Sequence, residues 1–175
     1  MDRYSRQTRF APIGEAGQAR LGRSAVLIVG MGALGTVLAN HMARAGVGLI
    51  RLVDRDYVEW SNLQRQMLFD EDDARAGLPK AVAAERKLMR INSEVRYEAI
   101  VADVTAANAA ELVRGVDAVL DGTDNFRTRL LLNDICFRSG IPYVYGGAVG
   151  AQGMTAAFVP GETSCLRCLF GSEPD

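Results

Sequence analysis

The run Asp121-Gly122-Thr123-Asp124-Asn125 closes a series of groups suited to handling phosphates. Upstream lie a glycine-rich turn (Gly30, Gly32, Gly35), an acid ending the next apolar stretch (Asp54), the run Ser61-Asn62-Leu63-Gln64-Arg65-Gln66, and Lys80. A glycine turn lets backbone approach phosphate, and the helix behind it offers free N–H groups and partial positive charge to an anion. An acid about 20 residues further on can bond a ribose hydroxyl. These two features alone indicate only a nucleotide. Arg65 and Lys80 add cations, Asn62 adds a donor for phosphate or sugar oxygens, and Asp124 adds a carboxylate suited to magnesium. Phosphoryl and nucleotidyl transfer need this kind of charge stabilisation. The set points to ATP held for attack at its α-phosphate.

Each residue also has a plainer reading. Arg65 and Lys80, taken singly, are solvated surface charges, and Asp124 is a helix cap of a favoured type. The glycine run is then a tight strand-to-helix turn. An oxidoreductase using NAD shares the turn and Asp54, but hydride chemistry needs a proton-transfer group beside the nicotinamide. The sole histidine, His41, falls inside the helix after the turn and is expected on a helix surface or interface. No Gly-x-x-x-x-Gly-Lys-[Ser/Thr] motif occurs, which disfavours a P-loop NTPase.

The elements that must position these groups follow from apolar patterning. Residues 24–29 and 48–53 are strand-like runs, and residues 33–45 between them carry helical periodicity. That is a βαβ unit of about 30 residues, with the glycines at its first turn and Asp54 at its end. Residues 55–76 are charged and weakly periodic, which predicts a long functional loop with short helical turns. Helices are predicted over 14–21, from Pro79 to about Ile91, over 105–114 and over 125–139. Pro79 suits a first helical turn, and Gly140 suits a helix end. Further strands are predicted over 95–101, 116–120, 142–149 and 152–159, the last two joined at Gly150. Alternating strands and helices imply an α/β, Rossmann-like fold, a mostly parallel sheet with helices on both faces. No repeat or linker divides the chain, so residues 1–175 read as a single domain.

Composition narrows the partners. With 175 residues the chain is long enough for one sizeable core, and 49% apolar residues are ordinary for a globular domain. A net charge of −1 gives no global basic field, so neither nucleic acid nor an anionic membrane is expected as a partner. Arg86, Lys87 and Arg90 cluster at helical spacing and read as a solvated face. No apolar run reaches the roughly 18 residues of a membrane span, and the polar start Met1-Asp2-Arg3-Tyr4-Ser5-Arg6 lacks the apolar core of a secretion signal. Three cysteines, Cys136, Cys165 and Cys168, do not form a disulfide framework. Cys136 sits on an apolar stripe and is expected in the core. A cytoplasmic protein is the simplest reading.

Taken together the motifs resemble the HesA/MoeB/ThiF family, bacterial relatives of ubiquitin-activating enzymes. The resemblance rests on Arg3-Tyr4-Ser5-Arg6-Gln7, Gly30-Met31-Gly32-Ala33-Leu34-Gly35, Asp54-Arg55-Asp56, the run from Ser61 to Gln66, Pro79-Lys80, the run from Asp121 to Asn125, and Cys165-Leu166-Arg167-Cys168. It covers essentially the whole chain and is strongest to the ThiF-type branch of thiazole (thiamine) biosynthesis. MoeB-type enzymes of molybdopterin synthesis share almost all of it. The resemblance implies adenylation of the C-terminal glycine carboxylate of a small β-grasp sulfur carrier ending in Gly-Gly, with release of pyrophosphate. It implies that Asp54 binds the ribose, that Asn62, Arg65 and Lys80 hold phosphates, and that Asp124 ligates Mg2+ and is the most sensitive catalytic position. Arg6 matches an arginine that reaches into the neighbouring subunit's site, which implies a homodimer.

Two departures accompany the resemblance. Ala33 stands where many members have glycine, and its methyl group is tolerable only at negative φ. Cys165 and Cys168 correspond to half of a four-thiolate Zn2+ site, and thiolate zinc sites want tetrahedral closure. The other pair, a crossover loop and a later cysteine belong to a segment the family carries downstream. The expectation is therefore a C-terminally truncated ThiF/MoeB-type domain, with no terminal element from Gly171 to Asp175 and two free thiols near a frayed end. A non-catalytic scaffold is a further alternative, disfavoured because Asp54, Arg65, Lys80 and Asp124 are all present.

Overall fold

A computed structural model describes residues 3–171. The strands are β1 (Ala25–Val29), β2 (Leu49–Val53), β3 (Arg96–Ile100), β4 (Ala118–Asp121), β5 (Tyr143–Val149) and β6 (Gln152–Phe158). They form one sheet in the order β3-β2-β1-β4-β5-β6, parallel except for β6, which runs antiparallel to β5. The chain winds outward from β1 to β3, then returns to place β4 on the other side of β1. Between β1 and β4 the winding direction reverses, and in open α/β sheets ligands bind outside the carboxyl ends of the strands at such a point.

The helices are α1 (Ser5–Thr8), α2 (Gly14–Leu21), α3 (Ala33–Ala45), α4 (Glu71–Arg75), α5 (Lys80–Ile91), α6 (Ala109–Leu112), α7 (Phe126–Ser139) and α8 (Leu166–Phe170). Strand β1, all apolar, is buried at every position. Its alternate residues feed two cores, as a strand's period of two requires. Val26 and Ile28 join Ala39 and Ala43 of α3 and Ala84 and Leu88 of α5 on one face. Leu27 and Val29 join Leu112 of α6 and Leu130, Leu132 and Cys136 of α7 on the other. The mostly parallel sheet with helices on both faces is thus as expected. Helices α3 and α7 end on the left-handed glycines Gly46 and Gly140, which supply a conformation costly for other residues.

The departures are local. The helix predicted over 105–114 shrinks to α6. Residues 105–109 form a turn closed by the Ala109 N–H on the Thr105 carbonyl (2.9 Å), and the Asn108 side chain locks it by accepting from the Thr105 N–H (2.8 Å) and donating to the Asp103 carbonyl (2.8 Å). Pro79 is the N-cap of α5 rather than part of its first turn. Helices α1 and α8 were not anticipated. Leu166 is fully buried, its N–H donates to Asn133 Oδ1 (2.8 Å), and Arg167 makes a bidentate pair with Asp134. The segment carrying the two cysteines is therefore docked on α7, not frayed. Of the stretch from Gly171 to Asp175, residues 172–175 lie outside the described residues. No described helix is long and apolar enough to cross a membrane.

Candidate active site

Loops leaving the carboxyl ends of β1, β2 and β4, with residues 102–106 after β3, the start of α7 and the end of β5, line a cleft of about 1630 Å3. The β1 loop is shaped by its glycines. Gly30 takes φ +86°, a turn that residues with a side chain rarely make. At Gly35 a Cβ would stand 1.7 Å from the Gly30 carbonyl oxygen, so the start of α3 lies directly against the turn. Gly32 lines the cleft with open space where a side chain would be. It is also the N-cap of α3, and no side chain bonds the first N–H groups of that helix. They are left as donors facing the cleft beside Ala33, and no described non-glycine residue, Ala33 included, has positive φ.

Asp54, at the end of β2, braces this loop. One carboxylate oxygen accepts from the Met31 N–H (2.6 Å) and the other from the Asp56 N–H (2.7 Å). Burial raises its pKa above the ordinary value, and the two N–H bonds act in the opposite direction. Asp56 in turn holds Lys80, a buried lysine whose Nζ lies 3.1 Å from Asp56 Oδ2. Asp54 and Lys80 are thus joined through one intermediate residue, the Asp56 backbone N–H on one side and its carboxylate on the other. In the sequence Asp56 stands out only by lying two residues beyond Asp54 in the same run.

The long loop after β2 carries Asn62 and Arg65. Asn62 is buried, and its Oδ1 accepts from the Glu59 N–H (3.0 Å) in a capping box around a single 3-10 turn. Its amide oxygen is committed to the backbone, which leaves the NH2 end as the donor available to the cleft. Arg65 is exposed, and its guanidinium donates to the Ser61 carbonyl (2.9 Å).

The β4 loop presents Asp124. Its carboxylate is exposed and makes no hydrogen bond or ion pair among the described residues, in contrast to Asp54. Beneath it Asp121 is fully buried and accepts from Thr123 N–H (2.8 Å), Thr123 Oγ1 (2.7 Å) and Tyr143 Oη (2.5 Å). Arg129, one turn into α7, lies 3.6 Å from Asp121 and donates to the carbonyls of Thr123 (2.6 Å) and Gly146 (3.2 Å). Burial raises the pKa of Asp121, against the lowering by these donors, and pushes the Tyr143 hydroxyl upward. Arg129 and Tyr143 carried no signal in the sequence, because contacts across 22 residues between Asp121 and Tyr143 leave no spacing to read.

The cleft therefore gathers Gly30, Gly32, Ala33, Asp54, Asn62, Arg65, Lys80 and Asp124. Gly35 lies behind it as packing. Arg6 is not brought to the cleft of its own chain. Its helix α1 is tied to the far end of the sheet, where Gln7 donates to Gln18 (2.5 Å) and to the Ala45 carbonyl (3.0 Å). Cys165 and Cys168 also lie apart from the cleft lining, with sulfurs 3.5 Å from each other. Among the described residues no group of three or more histidines, cysteines or acids is placed to hold a metal. Cys136 is fully buried, and burial pushes its thiol up to about 12. His41 is exposed on α3, away from the cleft lining.

Comparison with known proteins sharpens the reading. The model of the ThiF family matches residues 4–175. The chain is similar to the sulfur carrier protein ThiS adenylyltransferase of Bacillus subtilis (strain 168), 53% identical over 172 residues, covering 98% of this chain and 51% of that protein. It is similar to the SAMP-activating enzyme E1 of Haloferax volcanii, 43% identical over 175 residues, covering 100% of this chain and 64% of that protein. Among solved structures, E. coli MccB with ATP superposes with a TM-score of 0.87 at 32% identity, covering 99% of this chain and 53% of MccB. The chain spans about half the length of the first of these relatives.

Proposed function

This chain belongs to the ThiF family, and from that premise we propose that it uses ATP to adenylate the C-terminal glycine carboxylate of a small β-grasp sulfur carrier, most closely a ThiS-type carrier of thiamine biosynthesis. The supporting observation is the convergence of Asp54, Asn62, Arg65, Lys80 and an unpartnered Asp124 around the open N-terminus of α3 in one cleft. The name of the Bacillus relative, a sulfur carrier protein adenylyltransferase, supports the same reading. A molybdopterin-type carrier is the second reading, because MoeB-type enzymes share almost all of these motifs; relatives named adenylyltransferase and sulfurtransferase, 44% identical over 172 residues, fit adenylation with either carrier.

The chemistry follows from the groups present. A carboxylate is ionised at neutral pH, so the attacking oxygen needs no protein base. It bonds to the α-phosphorus as the bond to the β-phosphate bridging oxygen breaks, giving the carrier acyl-adenylate and pyrophosphate. The protein's task is positioning and charge stabilisation. The α3 N–H groups, Arg65, Lys80 and the Asn62 amide face the phosphates, and Asp54 accepts from the ribose. The cleft's 1630 Å3 exceeds the roughly 300–1,000 Å3 of a small-molecule pocket, leaving room for an extended carrier tail beside the nucleotide.

Asp124 is the residue that would hold a divalent cation, since its carboxylate has no competing partner. Magnesium, when bound there, neutralises charge on the phosphates. Zinc would be held by Cys165 and Cys168 together with ligands from outside the described residues. Arg6 is proposed to act on the neighbouring subunit's cleft in a homodimer.

Calorimetric titration of ATP with magnesium, and separately of NAD, tests the nucleotide class. ATP is expected to bind, Asp124→Ala to weaken it, and NAD to give no matching heat. NAD binding without ATP binding would overturn the reading. In carrier-dependent pyrophosphate exchange, Asp124→Ala is expected to lose at least about 100-fold. An Arg6→Ala subunit mixed with an Arg65→Ala subunit should regain part of the lost activity, because one cleft then keeps both groups. No regain in verified mixed dimers removes the role in trans.

A further inference from the structure

We infer that Asp121 is a positioning residue for Asp124, acting with Tyr143 and Arg129 as a buried clamp on the backbone between them. The inference rests on the adenylation reading and deepens it, since it concerns how that site holds its cation-binding carboxylate. Asp121 is fully buried at the end of β4 and three residues from Asp124. One of its oxygens takes both the N–H and the hydroxyl of Thr123, and the other takes the Tyr143 hydroxyl. Arg129 pulls on the same residue from its other side, through the Thr123 carbonyl, and anchors to the Gly146 carbonyl on β5. Thr123 therefore has its N–H, hydroxyl and carbonyl all committed to buried partners. Asp124, the next residue, has no side-chain partner among the described residues.

A free carboxylate on a free loop would sample many positions. Here the loop below it is fixed while the carboxylate is not, so a cation arriving beside the phosphates meets a ligand whose main chain is already placed. Preorganisation of this kind lowers the ordering cost of binding. The ionic pair itself is a poor device for stability alone: Arg129 Nε stands 3.6 Å from Asp121 without a hydrogen-bond partner, and desolvation of both charges offsets their attraction. Asp121 with Arg129 is better accounted for by what it orients.

The test uses Asp121→Asn and Tyr143→Phe in the whole chain, with Asp124→Ala as reference and thermal melting as a check of folding. ATP affinity is measured by calorimetry without magnesium and with it, followed by pyrophosphate exchange driven by ThiS. Wild type is expected to bind ATP more tightly with magnesium. Asp124→Ala should remove that increment. Asp121→Asn should reduce it about tenfold and lower kcat about twentyfold, with magnesium-free ATP affinity and the KM for ATP within about twofold of wild type. Tyr143→Phe removes one of the three donors and should shift the same two quantities by less. Adding Asp121→Asn to Asp124→Ala should change the increment no further, because the first acts through the second. An undiminished increment and kcat in Asp121→Asn would overturn the inference while leaving adenylation standing. So would a loss of magnesium-free affinity together with early melting, which marks a merely structural residue. Wild type that neither binds ATP nor supports exchange would overturn the adenylation reading and the inference with it.

Discussion

The loops after β1 and β4 face each other across the cleft and solve opposite problems. Both lead from a buried strand into a long helix, α3 and α7. The β1 loop leaves its helix end open: Gly32 caps with no side chain, and the first N–H groups remain unpaired donors. The β4 loop closes its helix end: Asn125 Oδ1 accepts from the Thr128 N–H (2.9 Å). With that N–H capped, the loop exposes a bare carboxylate one residue earlier. One loop is an electropositive backbone surface and the other an electronegative side chain. The difference teaches that two equivalent places in a fold can be given opposite polarity by whether the N-cap has a side chain. A triphosphate with its counter-cation needs both.

The contrast can be broken most severely at Gly35. Gly35→Ala places a methyl carbon where the Gly30 carbonyl oxygen stands, so α3 must move off the turn. The expected cost is about 4 kcal/mol, read from denaturant unfolding. A change below about 1 kcal/mol would mean that the turn adapts easily. At Gly32 the same substitution tests openness rather than packing. Its Cβ meets nothing within 4 Å and its φ is −83°, so stability should hold within about 0.5 kcal/mol while ATP affinity falls about tenfold. Unchanged ATP affinity by calorimetry would remove the close approach of phosphate to this turn. The smallest effect belongs to the closed loop. Asn125→Ala deletes the cap of α7 and should cost about 1 kcal/mol, a fall in Tm of about 2–4 °C. No fall would show that water replaces the side chain without loss.

The parts of the site on one loop or one βαβ unit were legible in the sequence. Gly30, Gly32, Gly35 and Asp54 follow each other at fixed offsets, because a tight turn and the next strand's end are local geometry. The apolar runs of β1 and β2 and the end of α7 at Gly140 were legible for the same reason. What the sequence withheld was non-local. Arg129 reads as an ordinary polar position on an amphipathic helix until β5 supplies the Gly146 carbonyl beside it. Helix α8 spans only Leu166–Phe170, too short for periodicity, and it exists because Leu166 and Arg167 find partners on α7. Helix α6 failed in the other direction: its pattern suited a longer helix, but regular helix spans only Ala109–Leu112, with single turns on either side.

Gly122, beneath the cleft, has a consequence for how variation in this chain should be interpreted. A Cβ there would lie 2.8 Å from the Gly35 nitrogen and 2.9 Å from the Gly30 oxygen, so three glycines from two loops form one seam. Any residue other than glycine at these positions forces the loops apart, whatever its polarity. A saturation scan scored only by activity would therefore rank the seam alongside Asp124, although its members make no side-chain contact with anything. Pairing each score with a measure of soluble abundance separates the two groups: variants of the seam lose both, and variants of Asp124 lose only the first.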